Sequence, residues 1–245
     1  MAIEHFEVEL VDASMIAPNV KHLVFKKADG SKFEFVPGQF ITFLFDHEDG
    51  KLRRRSYSVA TIPNQTDLIE IAISYVDGGI ASENFFNMQK GQCFNVMGPA
   101  GRLILKENEV IDKLILVGTG TGIAPYRAML PSLQTALTKN VKTVYILLGV
   151  QYQQDAIYAK DFRQYVKNTP NLHFIACLSR EENALLEDEV KGYVQRYFEK
   201  LDLNPAHDVV YLCGNPNMID DAFALLSEYG FDAKHVRREK YISSN

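Results

Sequence analysis

The chain contains no tryptophan and only three cysteines among its 245 residues. Cys93, Cys177 and Cys213 lie far apart, and no C-x-x-C pair occurs. That excludes a cysteine-built zinc site or a cysteine-ligated iron–sulfur cluster. No apolar run approaches membrane-spanning length, and no signal-peptide pattern opens the chain. A reduced, cytoplasmic setting with no membrane partner is the resulting expectation. Excess positive charge is missing too. Lys and Arg number 26 against 31 Asp and Glu, a net charge of −5, which argues against a nucleic-acid binder. Internal repeats and low-complexity segments are absent. What remains is 47% hydrophobic and 23% charged residues, ordinary for a globular protein with room for one large domain or two modest ones.

The first hundred or so residues alternate between apolar and polar positions. Phe6–Asp12, Lys21–Lys26, Gln39–Phe45, Arg55–Ala60, Leu68–Val76 and Gln92–Met97 read as short strands separated by turn signals, a pattern that predicts a small antiparallel barrel or sandwich. One helix interrupts it, predicted over Ser82–Met88 with Ser82 as its N-cap. Arg55 and Tyr57 project to one face of their strand and Ser56 and Ser58 to the other. An arginine beside an aromatic ring offers a phosphate clamp and a stacking surface, although a charged strand that discourages edge pairing has the same pattern. Asp77-Gly78-Gly79-Ile80-Ala81-Ser82 is a glycine turn feeding a helix start.

After a polar segment near Lys106–Asp112 the texture changes. Strands and helices alternate through Leu114–Val117, Tyr126–Leu137, Thr143–Leu148, Ala159–Val166, His173–Leu178, a helical stretch near Val190–Lys200, Asp208–Cys213 and Met218–Glu228. That order predicts a doubly wound parallel α/β sheet, in which ligands bind beyond the carboxyl ends of the strands. Between the first strand and the first helix runs Gly118-Thr119-Gly120-Thr121-Gly122-Ile123-Ala124-Pro125. Glycines there permit close backbone approach, and a helix N-terminus faces negative charge. Ile123 occupies the third glycine position of the dinucleotide fingerprint, so the loop is either a phosphate site or a close-packed turn.

Six segments resemble the ferredoxin–NADP⁺ reductases and their flavoprotein relatives: Pro37-Gly38-Gln39, Arg55-x-Tyr57-Ser58, Gly79-x-x-Ser82, Gly98-Pro99-x-Gly101, Gly118 to Pro125, and Cys213-Gly214-Asn215-Pro216. Their order and spacing cover nearly the whole chain. The resemblance implies an FAD-binding Greek-key β-barrel over residues 1–107 and an NAD(P)-binding α/β domain over 108–245. It implies that Arg55 and Ser82 hold flavin phosphates with Gly79 allowing close approach, that Tyr57 stacks on the flavin ring, and that Ser58 hydrogen-bonds near its reacting nitrogen. Gly120 and Thr121 would take the nucleotide pyrophosphate, and Cys213 would lie beside the nicotinamide. Ser179 and Arg180 match the pair that holds the 2′-phosphate of NADPH, with Lys191 and Tyr193 as further contacts. Glu239-Lys240-Tyr241 resembles the Glu-x-Tyr that ends the plant-type reductases. There the tyrosine covers the flavin and the glutamate relays a proton. Here Ile242–Asn245 continues beyond it.

The implied activity is electron transfer from NADP(H) through FAD to a one-electron carrier such as ferredoxin or flavodoxin. An NAD(P)H:flavin oxidoreductase, or the reductase component of a multicomponent oxygenase, is the alternative. Two basic segments, Lys51, Arg53, Arg54 and Arg55, and Lys234, Arg237, Arg238 and Lys240, would border the flavin. With Arg55 taken by the phosphate, the others are expected to be free as a collar that steers an acidic carrier.

Overall fold

The computed structural model describes residues 3–47, 49–183 and 185–241. Two six-stranded sheets organise it. The first is antiparallel and is formed by β1 (Glu4–Ala17), β2 (Val20–Lys27), β3 (Phe40–Phe45), β4 (Arg53–Ser58), β5 (Ile69–Ser74) and β6 (Cys93–Ala100), in the order β4-β3-β6-β1-β2-β5. It rolls until its two end strands meet. Just past β4, the Ala60 N–H donates to the carbonyl of Glu70 on β5 at 2.7 Å. Alternating inward residues fill the barrel, among them Val8, Leu10, Leu23, Phe25, Ile41, Phe43, Ile71 and Val96. Gly38, with φ +101°, enters β3 where an added Cβ would fall 2.0 Å from the Leu103 carbonyl oxygen.

Helix α1 (Ile80–Asn87) begins earlier than the sequence predicts. Gly79, not Ser82, holds the N-cap position. The Gly78 turn (φ +67°) leads directly into the helix, and Ser82 lies in its first turn. There the Ser82 hydroxyl oxygen accepts the Val76 N–H at 2.8 Å. An added Cβ on Gly79 would crowd the Val76 carbonyl oxygen at 3.1 Å, so the turn fits closely around this glycine.

The second sheet is parallel, in the order β10-β9-β8-β7-β11-β12. Its strands are β7 (Ile111–Thr119), β8 (Val141–Val150), β9 (Leu172–Leu178), β10 (Glu189–Lys191), β11 (Val209–Gly214) and β12 (Val236–Lys240), with helices α2 (Ala124–Lys139), α3 (Ala159–Lys167) and α4 (Pro216–Glu228). Its central strands, β7, β8, β9 and β11, are rich in apolar residues because both faces are covered. Leu114, Leu116, Ile146 and Tyr211 face α2 and α3, while Ile115, Val117, Leu147 and Leu212 face α4 and the 3₁₀ turns of Val194–Lys200.

Two parts of this sheet differ from the sequence expectation. The stretch near Val190 is not continuously helical. Gly192, at φ +115°, separates a short strand from the 3₁₀ turns, and its N–H donates to Leu178 at 2.9 Å. The basic segment before the Glu-x-Tyr match is strand β12, which pairs in parallel with β11 and sets Cys213 opposite Glu239. Its composition hid it, because Val236 is its one apolar residue.

The glycine loop is interlocked with the end of β11. An added Cβ on Gly118 would lie 2.9 Å from Gly122, one on Gly122 2.4 Å from the Cys213 carbonyl oxygen, and one on Gly214 2.7 Å from the Thr119 carbonyl oxygen. Gly120 differs: at φ +53° its Cβ would meet nothing within 4 Å. Gly118 and Gly122 therefore serve packing, whereas Gly120 faces open space. Gly122→Ala forces backbone against backbone and should destabilise the protein by about 1–3 kcal/mol. A denaturation midpoint equal to wild type would contradict this.

Candidate active site

The site is built where the open end of the barrel meets the carboxyl end of the parallel sheet. A cavity of about 450 Å³ lies there. Its barrel wall carries Arg55, Tyr57 and Ser58 from β4 with Gly79 and Ser82 from the α1 turn. Its opposite wall carries Thr121, Glu239 and Tyr241. Eight residues singled out from the sequence thus share one cavity. Arg54 and Lys240, from the two basic segments expected to border the flavin, also line it, as does Phe40, to which no motif pointed.

Tyr57 is held by aromatic edges: Phe43 and Phe85 pack against its ring at 6.0 and 5.6 Å, tilted by 73° and 74°. Burial raises its phenol pKa above the ordinary value, with Arg55 opposing weakly. Tyr57 therefore presents a fixed neutral ring. Arg55 and the first N–H groups of α1 supply positive potential at one end of the cavity. Ser82, whose oxygen already accepts from Val76, still has its hydroxyl proton to donate. A flat heteroaromatic ring carrying a phosphate suits this combination of ring, hydroxyl and cation.

At the cavity floor a chain of polar groups runs from β4 to the end of β12. Ser58 Oγ lies 2.6 Å from the Tyr241 hydroxyl and donates to Glu239 Oε1 at 3.3 Å. A serine hydroxyl has one proton. If that proton points to the ionised Glu239, the Tyr241 O–H must point to Ser58, and the chain has a direction. Tyr241 is fixed by its backbone N–H, which donates to Gly214 at 2.8 Å. Ile242–Asn245, the extension noted in the sequence, lies outside the described residues. Cys213 is fully buried behind this chain, within reach of the Tyr241 hydroxyl. Burial and the neighbouring Glu239 keep its thiol protonated, so it packs as a neutral group rather than acting as a nucleophile.

Ser179 and Arg180 are not part of this cavity. They follow β9, where Ser179 Oγ donates to the Val150 carbonyl at 3.3 Å and Arg180 lines a separate hollow of about 1270 Å³. The β9–β10 pairing sets Lys191 opposite Leu178, which brings Lys191 and the exposed Tyr193 beside the Ser179–Arg180 pair. Glu181 is committed to local groups, accepting from the N–H of Gln153, Glu182 and Asn183.

The basic segments are less free than their sequence suggests. Arg53 pairs with Asp49 at 2.7 Å and Lys240 with Asp220 at 2.6 Å. Arg237 grips both carboxylate oxygens of Glu109 and stacks on Tyr211 at 4.9 Å. The alternation of β12 is the reason: Arg237 faces the core side with Glu239, whereas Arg238 and Lys240 face α4, where Arg238 lies 3.9 Å over Phe223. Among the described residues, Lys51, Arg54, Lys234 and Arg238 carry no ion pair.

Residues 7–104 match an oxidoreductase FAD-binding domain and residues 116–223 an oxidoreductase NAD-binding domain. Ferredoxin–NADP reductase B of Sorangium cellulosum is 29% identical, over 97% of this chain and 98% of its own. The electron transfer component of toluate 1,2-dioxygenase from Pseudomonas putida is 25% identical, over 98% of this chain and 68% of its own. The Amycolatopsis cytochrome P450 reductase GcoB superposes with a TM-score of 0.86 at 21% identity, over 99% of this chain and 71% of its own. A Neisseria gonorrhoeae ferredoxin NADP⁺ reductase with bound FAD and NADP does so at 0.82 and 20%, over 97% and 99%. No helix among the described residues is long and apolar enough to cross a membrane.

Burial raises the Glu239 carboxyl above its ordinary 4.5, and the Ser58 hydrogen bond opposes that. A carboxyl with a raised folded-state pKa contributes stability that is complete below 4.5 and is lost as pH climbs through the raised value. Glu239→Gln removes this titration. The melting temperature of the variant relative to wild type should therefore increase as pH rises from 4.5 and level off once Glu239 is ionised. A difference that stays constant with pH would show that Glu239 titrates normally.

Proposed function

Because the chain belongs to the ferredoxin–NADP⁺ reductase family of flavin- and pyridine-nucleotide-dependent oxidoreductases, we propose that it is an FAD-dependent reductase. It takes a hydride from NADPH and delivers the electrons singly to a carrier such as a ferredoxin or flavodoxin. The observation that carries this reading is the convergence of Arg55, Tyr57, Ser58, Ser82, Glu239 and Tyr241 on one cavity that also meets the glycine loop at Thr121.

The chain's residues divide the work by chemistry. Arg55, Ser82 and the N-terminus of α1 would hold the FAD phosphates, and Tyr57 offers its ring to the flavin. Bound flavin supplies the capacity to accept two electrons together and release them one at a time. Ser58 can donate one proton at Oγ, with Glu239 behind it as a buried carboxyl that takes up or releases that proton. Tyr241, on the nucleotide side of Ser58, shields this exchange from water. Gly120 and Thr121 would receive the pyrophosphate, and proximity across the cavity supplies much of the rate. Ser179, Arg180, Lys191 and Tyr193, gathered at neighbouring strand ends, suit the 2′-phosphate and adenine of NADPH. Of the basic segments beyond Arg55, Arg54 and Lys240 line the cavity, and with Lys240 paired to Asp220 it is Arg54 that would meet an acidic carrier, a smaller collar than the sequence suggested. The similarity to oxygenase electron transfer components favours a second reading, in which the acceptor is an oxygenase partner.

The first test is the cofactor. The purified protein should carry FAD through gel filtration, and a dissociable flavin would favour a flavin-reducing enzyme instead. Arg55→Ala should weaken FAD binding by about 1.5–3 kcal/mol, read by equilibrium dialysis. Unchanged affinity would place Arg55 outside the phosphate site. The second test is the nucleotide. The value of kcat/KM should be higher for NADPH than for NADH, and Arg180→Ala should lower the NADPH value alone. Equal or better efficiency with NADH contradicts the assignment.

A further inference from the structure

Arg127, on α2, belongs to none of the groups assigned above, yet its side chain is only 12% exposed and spans the two halves of the molecule. Its Nη1 donates to the Ala60 carbonyl at 2.7 Å and to Glu70 Oε2, both on the barrel. Its Nε donates to Asp161 Oδ2 at 2.6 Å, on α3 of the nucleotide half. The guanidinium lies 4.6 Å over the Tyr158 ring. Tyr158 has a left-handed backbone, φ +58°, at the start of α3, and its hydroxyl reaches back to His22 Nδ1 on β2 at 2.8 Å. A non-glycine residue in that conformation persists only where its surroundings fix it.

We propose that Arg127 is a positioning residue for hydride transfer, a clamp that sets the width of the cavity between Ser58 and the glycine loop. The inference rests on the reductase reading above. Covalent distance makes the coupling short. Ala60 is two residues beyond Ser58, and Arg127 is three residues, about one helical turn, beyond the cavity-lining Ala124. Neither path contains a hinge, because Ala60 is also bonded through its N–H to β5 and Ala124 opens a helix. The planar fork of arginine engages both halves at fixed angles. Apolar packing alone sets this separation less sharply. Ile62 and Leu103 of the barrel share one core with Met129 of α2, and such surfaces can slide without losing a directed bond.

The two carboxylates give the clamp separable arms. Glu70→Gln weakens the arm that crosses between the halves, while Asp161→Asn weakens the arm within the nucleotide half. In FAD-loaded protein mixed with NADPH in a stopped-flow instrument, Glu70→Gln should slow the limiting rate of flavin reduction about tenfold or more, since small misplacements of reacting groups are costly. The nucleotide Kd from difference spectra should stay within about threefold, and Asp161→Asn should reduce flavin at a rate within about twofold of wild type. Arg127→Met is the stronger variant, and Glu70→Gln serves if it fails to fold. Hydrogen exchange of the FAD-loaded protein without nucleotide reads the clamp independently of turnover: Glu70→Gln should speed exchange over residues 59–62 and at Tyr158. Equal reduction rates in Glu70→Gln and wild type, equal slowing by Asp161→Asn, a loss confined to nucleotide Kd, or unchanged exchange would each overturn the proposal. Wild-type flavoprotein that neither NADPH nor NADH reduces would instead overturn the reductase reading, and the exchange measurement would still test the clamp.

Discussion

The close approach of the glycine loop to the end of β11 is the constraint on which the site depends. Gly122 meets the Cys213 carbonyl and Gly214 meets Thr119 at distances that leave no room for a side chain. This contact turns two adjacent parallel strands into one rigid floor. Thr119 strengthens it by accepting the Asn215 N–H at 3.0 Å through its hydroxyl, so the loop that would receive phosphate and the turn that opens α4 move together. With that floor in place, β12 adds beside β11 and brings Glu239 and Tyr241 to the barrel wall. Remove the interlock, and the residues remain present but lose their common reference.

Much of this was legible in the sequence, for identifiable reasons. The six-strand barrel and the parallel sheet follow from period-two alternation and from buried apolar runs separated by turns, patterns that burial on one face or two enforces. Arg55 and Tyr57 could be placed on one face because strand geometry fixes their relation, whereas Ser58, Glu239 and Tyr241 were joined to them only through the family resemblance. Besides the stretch near Val190, three features escaped. β12 carries one apolar residue in five, so no hydrophobic pattern reveals it; its partners are ion pairs and a stacked arginine. The early start of α1 depends on a glycine turn whose hydrogen bonds are local but whose direction is set by Val76. The charges read as a free collar were partly spent, since Arg53, Arg237 and Lys240 meet carboxylates that are distant in sequence or hidden by turns. Sequence shows a cation but not its neighbour.

The electrostatics of the two halves differ in kind. At the rim, exposed cations act over a Debye length and respond to salt. At the floor, Cys213, Glu239 and Tyr241 are shifted chiefly by burial, which salt does not reach. On the proposed reading, recognition of a charged carrier and handling of a proton would therefore be separable, because they would occupy different dielectric environments.

The alternation of β12 has a consequence for errors in assembly. One face of this strand presents Arg237, Glu239 and Tyr241 to the interior, and the other presents Arg238 and Lys240 to α4. A slip of one residue against β11 would exchange the faces. The cavity would lose its carboxyl, yet the strand's backbone bonding would survive almost intact. What opposes the slip is the grip of Arg237 on Glu109 and Tyr211. An arginine with no place in the chemistry acts as the registration pin of the site, and a deletion in the segment between α4 and β12 tests the fidelity of the strand rather than its stability.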